Sequence, residues 1–275
     1  MKYNFYFDRI RINSFLPKDI VNQIVNVFEI EKHCRAIEIG RPYKVAQRHG
    51  YESRIELYQA TDEAIRLLQR YDLWEHGISR IEIARDIVCN NSLVSNKYRS
   101  IFQNNHYLKW GTRCFFIGNT EYLGKIERKN RGLYAVCYNP IKVKLGCSTV
   151  VHVEFVLSGK KSISKKLGID TIYDIVNAQD CFTRLSDKFL VEAKVNQSRI
   201  KKHFPDKKIQ NVAEMVEFIT TEKERIRERK YRHHIFYTIC DKRLRKRFGL
   251  KKMFTFTKKE QLILNQSVRY WINEG

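Results

Sequence analysis

Apolar and polar residues alternate with a period of two in a series of stretches through the first 160 residues: "YNFYFDRIRI" (3–12), "YESRIELYQ" (51–59), "ISRIEIARDIV" (78–88), "CFFIGNTEYLGK" (114–125), "GLYAVCYN" (132–139) and "STVVHVEFVLS" (148–158). That period sends successive side chains to opposite faces, so each stretch predicts a strand with one apolar and one polar side. Between them the period lengthens. "LPKDIVNQIVNVFEI" (16–30) spaces Ile20, Val21, Ile24, Val25, Val27 and Phe28 for one helix, with Pro17 tolerated in its first turn. "TDEAIRLLQRYDL" (61–73) is a helix opened by acids, "NSLVSNKYRSIF" (91–102) a more polar one, and "IGRPYKVAQRHG" (39–50) a loop. The simplest assembly is α+β: a central, largely antiparallel sheet of five to six strands with helices on one face.

Beyond about residue 160 the strand pattern stops. "KKSISKKLGIDTIYDIVNAQDCFTRLSDKFLVEA" (160–193), "IQNVAEMVEFITTEKERIRERKYRHHIFYTI" (209–239) and "TKKEQLILNQSVRYWINEG" (257–275) have helical periodicity. The expected organisation is therefore a sheet-containing domain, residues 1–160, followed by a basic helical region, residues 161–275.

Charge changes this picture more than size does. The 275 residues carry 52 Lys and Arg against 30 Asp and Glu, a formal charge of +22, and from Arg199 onward 21 basic residues face 9 acidic ones. Such a balance draws in a polyanion through counterion release, which makes nucleic acid the default partner ahead of an anionic membrane. No window approaches the ~20 apolar residues of a membrane span, and Asp8, Arg9 and Arg11 interrupt the N-terminal stretch where a signal peptide would be apolar. A cytoplasmic protein with no membrane partner is expected. The seven cysteines are scattered with no C-x-x-C pair, as suits reduced thiols in a core.

Strand parity then gathers the ionisable residues. In "SRIEIARD" Arg80, Glu82, Ala84 and Asp86 share a face opposite Ile81, Ile83, Arg85 and Ile87; in "VHVEF" His152 sits beside Glu154; in "RIELY" Arg54 sits beside Glu56. One such strand is ordinarily a wetted sheet face with cross-strand ion pairs. Several together point further, because carboxylates and an imidazole converging from adjacent strands suit Mg²⁺ or Mn²⁺. A strand histidine is also commonly a satisfied structural residue, and both readings of His152 stand. "RGLYAVCYNPIKVK" (131–144) adds two tyrosines on one strand face, Tyr134 and Tyr138, which the local pattern does not rank.

The ordered series "FYFDRIRI", "SRIELY", "SRIEIARD", "FIGNTEYLGK", "YAVCYNP" and "VHVEFVL", spanning roughly residues 4–158, resembles the replication-initiation-factor family (Rep-trans type) of rolling-circle plasmid and filamentous-phage initiators, an HUH-endonuclease-like group. The resemblance implies a DNA endonuclease and strand transferase: a tyrosine attacks an origin phosphodiester, stays linked to the 5′ phosphate and frees a 3′ hydroxyl. Carried over by position, the nucleophile falls on Tyr138, with Tyr134 as the alternative, and the metal ligands on Glu82 and Glu154, with Asp86 and His152 as further candidates. This chain departs from the family's pattern in having Pro140 after Tyr-Asn, Glu82 in place of the first-strand Asp, and His152 in place of an Arg.

Arg80, Lys142 and Lys144 are placed to hold the DNA backbone, and the basic run with Arg243, Arg245, Lys246, Arg247, Lys251 and Lys252, interleaved with aromatics, reads as a DNA grip. The implied partners are single-stranded origin DNA, a host helicase and a polymerase, with a homodimer as an open arrangement. The competing readings are a conjugative relaxase, a DNA-binding regulator that keeps the fold without the chemistry, and an RNA-binding sheet. The acids on "RIEIARD" argue against the last.

Overall fold

The polar-apolar alternation of the opening stretch becomes β1 (Tyr6–Ser14), whose Ile10 and Ile12 are fully buried while Arg9 and Arg11 lie on the other side. In this computed structural model the described residues are 5–71, 77–89, 91–108, 114–117, 120–123, 132–138, 150–178, 180–195, 198, 201–202, 205–210, 214 and 254–257. The single helix expected over 16–30 is two, α1 (Lys18–Ile24) and α2 (Val27–Glu31). Asn26 causes the break: its side chain accepts the Glu29 N–H as a new N-cap at 3.2 Å, and asparagine favours caps over helix interiors.

After β2 (Ala36–Gly40) and the single-turn α3 (Lys44–Gln47), the chain enters β3 (Ser53–Ala60). Thr61 then caps α4 (Asp62–Gln69), whose Ala64, Ile65, Leu67 and Leu68 face the core. β4 (Ile78–Val88) leads into α5 (Ser92–Asn105) and the short β5 (His106–Leu108). β6 (Cys114–Ile117) and β7 (Thr120–Leu123) form a hairpin, followed by β8 (Gly132–Tyr138) and β9 (Val150–Ser158). Helices α6 (Lys160–Leu167), α7 (Ile172–Asn177) and α8 (Cys181–Phe189) precede β10 (Leu190–Val195), and β11 (Phe254–Thr257) is the last described strand.

The main sheet has eight strands in the order β2-β3-β1-β4-β9-β8-β7-β6, and every pairing is antiparallel. The class is the expected α+β, with two differences in strand count. β2 overlaps the start of the loop expected from Ile39 onward, and "CFFIGNTEYLGK" supplies two strands, β6 and β7, paired with each other, instead of one. The described helices pack on one face, where Ile81, Ile83, Phe155, Ile163, Phe182 and Leu185 join a common core. Phe155 and Phe182 meet edge to face at 5.1 Å, and the buried Arg85 covers the Phe182 ring at 4.4 Å.

The region beyond 160 is not purely helical, which corrects the sequence reading. β10 pairs with β5 and β11 in a second, three-stranded antiparallel sheet. "LVEAKV" was absorbed into a helix pattern because its apolar residues are too few to separate periods of two and 3.6, and pairing partners distant in sequence decide such short segments. No described helix is long and apolar enough to cross a membrane.

Candidate metal and nucleophile site

Cross-strand register brings the polar residues together on the face away from the helices. β4 pairs with β9 so that Asp86 lies opposite His152 and Ala84 opposite Glu154, and β9 pairs with β8 so that His152 lies opposite Tyr138. Asp86, His152 and Tyr138 therefore form one row across three strands, perpendicular to the chain direction. Directly opposite residues in an antiparallel pair are ~5 Å apart. The Tyr138 and His152 rings stand 4.7 Å apart at 43°.

β1 completes the site by breaking its own alternation. Phe7 faces Ile83 and Arg9 faces Glu82, so two steps on β1 match one on β4 and Asp8 is the extra residue of a β-bulge. Without the bulge, Asp8 would share the buried face of Ile10 and Ile12. With it, Tyr6, Asp8 and Arg9 all serve the polar side. Gln59, held at φ 49°, donates from its side-chain amide to Asp8 Oδ1 at 3.1 Å. Such left-handed backbone in a non-glycine residue accompanies functional sites when the surroundings enforce it.

Asp8, His152 and Glu154 offer ligand atoms that all lie within 4.8 Å of one another. His152 Nδ1 is 2.7 Å from Asp86 Oδ1, and the Tyr6 hydroxyl donates to Asp86 Oδ2 at 3.0 Å. His152 Nε2, by contrast, is buried without a hydrogen-bond partner and lies 3.7 Å from Glu154 Oε2. A buried imidazole nitrogen left open, its other nitrogen held by a carboxylate, is the arrangement of a metal-ligating histidine. Two carboxylates and an imidazole fit a hard divalent cation, which supplies Lewis-acid charge at a phosphoryl oxygen when bound.

The titration properties agree. Burial would lower the His152 pKa, but the adjoining Asp86 and Glu154 raise it to about 10. Burial and the neighbouring Glu154 push Glu82 up to about 7, against the pull of Arg80. Burial and Glu154 also raise Asp8 and Tyr138, the latter with Asp8, Asp86 and Glu82 contributing. Burial is the largest cause for Glu82, Asp8 and Tyr138 and opposes the shift of His152; what the four have in common is a contribution from the crowded acidic groups, a set that gains from capturing a cation.

The sequence candidates divide by position. Glu154 and His152 are in the ligand cluster. Asp86 instead holds His152 from behind, and Glu82 is ion-paired with Arg80 and stands 4.0 Å from Arg9. Tyr134 lies two same-face rows further along β8, opposite Val156, and accepts a hydrogen bond from Arg80 Nη2 at 3.1 Å. The Tyr138 hydroxyl has no hydrogen-bond partner among the described residues. Lys142, Lys144, Arg243, Arg245, Lys246, Arg247, Lys251 and Lys252 lie outside the described residues. Asp8 was missed, although an acid at a core-facing parity of an otherwise regular strand is costly and so signals a bulge.

No family model matches the chain, and no curated protein matches it. Among solved structures, a rolling circle replication initiator protein from Geobacillus stearothermophilus is similar to it over 80% of this chain and 96% of that one, at 12% identity and a TM-score of 0.42. A likeness of that size decides neither fold nor function, and the geometry of the site carries the functional reading.

Proposed function

We propose that this protein is a metal-dependent endonuclease and strand transferase that nicks single-stranded DNA and initiates rolling-circle replication, with Tyr138 as its nucleophile. The observation that carries the reading is Tyr138 packed 4.7 Å from the ring of His152, beside the Asp8–His152–Glu154 cluster. A tyrosine with no hydrogen-bond partner among the described residues, next to a candidate divalent-cation site, suits phosphodiester transesterification.

Asp8, His152 and Glu154 would hold Mg²⁺ or Mn²⁺, and Asp86 with Tyr6 would orient the His152 ring. Tyr138 Oη attacks phosphorus, the P–O3′ bond breaks, and the phosphoryl group remains on the tyrosine as a 5′-phosphotyrosine link. The phenolic proton passes to water, and the departing 3′ oxygen takes a proton from water. Arg80, tied to Glu82 and Tyr134, would meet a neighbouring phosphate. Residues 161–275, strongly basic, would add electrostatic grip on the origin.

The test is Mn²⁺-dependent cleavage of a single-stranded DNA pool. Tyr138→Phe is expected to abolish both cleavage and the covalent adduct, whereas Tyr134→Phe keeps them. Full activity in Tyr138→Phe overturns the assignment.

A further inference from the structure

On the same sheet face, one strand further from the candidate site, lies a second polar cluster that the nicking chemistry does not use. Glu56 on β3 is fully buried, and three arginines converge on it. Arg9 Nε donates to Glu56 Oε2 at 2.6 Å and Arg11 Nε to Oε1 at 2.9 Å, while Arg54 Nε stands 2.9 Å from Oε1. Cross-strand register explains the convergence, since Arg11 is opposite Glu56 and Arg9 opposite Tyr58.

One carboxylate does not satisfy three guanidiniums. Each guanidinium presents about five N–H donors and a carboxylate about four acceptor sites, so most of the donors remain for another acceptor. The exposed Glu38 also reaches this face, where it accepts from Tyr58 at 3.3 Å, but it makes no ion pair with the three arginines. The arginine side chains keep 13–23% of their surface exposed, so their outer edges reach solvent; Arg9 and Arg11 are pinned by hydrogen bonds to Glu56, and Arg54, whose Nε makes no hydrogen bond among the described residues, is held by its ion pair. Pinned guanidiniums with spare donors lose little freedom on meeting a phosphate, and they match its oxygens in pairs.

Aromatic rings are interleaved with them. Tyr43, 48% exposed, packs under both Arg11 (4.4 Å) and Arg54 (4.7 Å), and Arg9 lies 5.0 Å over Tyr58. Phosphate-matching cations alternating with partly exposed rings suit unpaired nucleotides, whose bases stack where duplex bases cannot. The strip also has a direction. From β9 across β4 and β1 to β3 is three strand spacings of ~4.8 Å, roughly 14 Å, which is room for a few nucleotides. Arg9 bridges the two ends, 4.0 Å from Glu82 and bonded to Glu56.

We propose that Arg9, Arg11 and Arg54, splayed around the buried Glu56, form a phosphate cradle for single-stranded DNA leading into the Tyr138 site, with Tyr43 as a stacking surface for one base. The proposal rests on the nicking reading for its direction, but binding is measured separately from cleavage.

The experiment is fluorescence anisotropy of a labelled oligothymidylate in the Tyr138→Phe background, where no cleavage intervenes, across a salt series. Arg54→Gln is expected to weaken binding about tenfold and to reduce the slope of log K against log salt by ~0.7, the value of one single-strand phosphate contact. Arg54→Lys keeps the slope, and Tyr43→Ala weakens binding with the slope unchanged. Mn²⁺ binding to Arg54→Gln, unchanged from the parent, shows that the fold and the metal cluster are intact. Wild-type affinity and slope in Arg54→Gln overturn the cradle and leave the nicking reading standing. A reduced slope in Arg54→Gln, together with a protein retaining Tyr138 that binds Mn²⁺ yet forms no covalent adduct with single-stranded DNA, keeps the cradle and removes the nicking reading.

Discussion

Asp86 and Glu154 face the same histidine from opposite sides, and replacing each in turn separates a positioning role from ligation. Asp86 Oδ1, 2.7 Å from His152 Nδ1, keeps the proton on that nitrogen and leaves Nε2 to face Glu154, 3.7 Å away. Removing such a partner ordinarily costs 10–100-fold in metal affinity, about 1.4–2.8 kcal/mol. Asp86→Ala is therefore expected near the upper end. Asp86→Asn, which still accepts the Nδ1 proton, is expected near the lower end. Glu154→Ala deletes a proposed ligand and is expected to abolish binding.

A proton-linkage signature accompanies these losses. With the His152 pKa near 10, the cation must displace a proton at neutral pH, so affinity rises about tenfold per pH unit between 7 and 9. In Asp86→Asn one of the two carboxylates that hold that proton is gone, and fewer protons are released per Mn²⁺ bound. Calorimetry of Mn²⁺ binding in buffers of different ionisation enthalpy reads both quantities. Equal loss in Asp86→Ala and Glu154→Ala would make Asp86 a direct ligand. Unchanged affinity in Asp86→Ala would refute the positioning argument outright.

Three further outcomes are expected. Stability of the metal-free protein falls as pH rises from about 5 toward 10, because Glu82 and His152 both have folded pKa values raised above their unfolded ones and their contributions disappear as pH passes about 7 and about 10; saturating Mn²⁺ suppresses the decline in thermal melts. Arg11 and Arg9 hold the Glu56 pKa down against burial, so its contribution is present at neutral pH and is lost below the ordinary carboxylate range; Glu56→Ala at pH 7 should cost about 3 kcal/mol by urea denaturation, and a loss under ~1 kcal/mol would mean that the arginines do not depend on it. Phe182→Ala, which removes a fully buried ring packed on Phe155 and under Arg85, should cost about 3–5 kcal/mol in the same assay without altering Mn²⁺ affinity.

What the sequence revealed, and what it hid, follows from the physics of strands. Period-two alternation marked β1, β3, β4, β8 and β9 and put Glu82, Asp86, His152 and Glu154 on polar faces, since parity is a property of one strand alone. Register is a property of two strands. Glu82 and Asp86 are equivalent by parity, yet pairing with β9 sets Asp86 against His152 and leaves Glu82 to Arg80 and Arg9. Asp8 was hidden more deeply, because its place depends on a bulge that reverses its parity. The arginine cluster was half visible: Arg54 beside Glu56 could be read from one strand, but Arg9, Arg11 and Tyr43 come from other elements. β10 was invisible for a third reason, since its partner β5 lies more than 80 residues earlier in the chain.

The central claim is that Tyr138 carries the chemistry. Its most direct test is to incubate the protein with a single-stranded DNA pool and Mn²⁺, digest both components, and identify the nucleotide-bearing peptide by mass spectrometry. The account predicts a 5′-phosphonucleotide on Tyr138, absent when Mn²⁺ is chelated. An adduct on Tyr134 or Tyr6, or no adduct from protein with Mn²⁺ demonstrably bound, would contradict it.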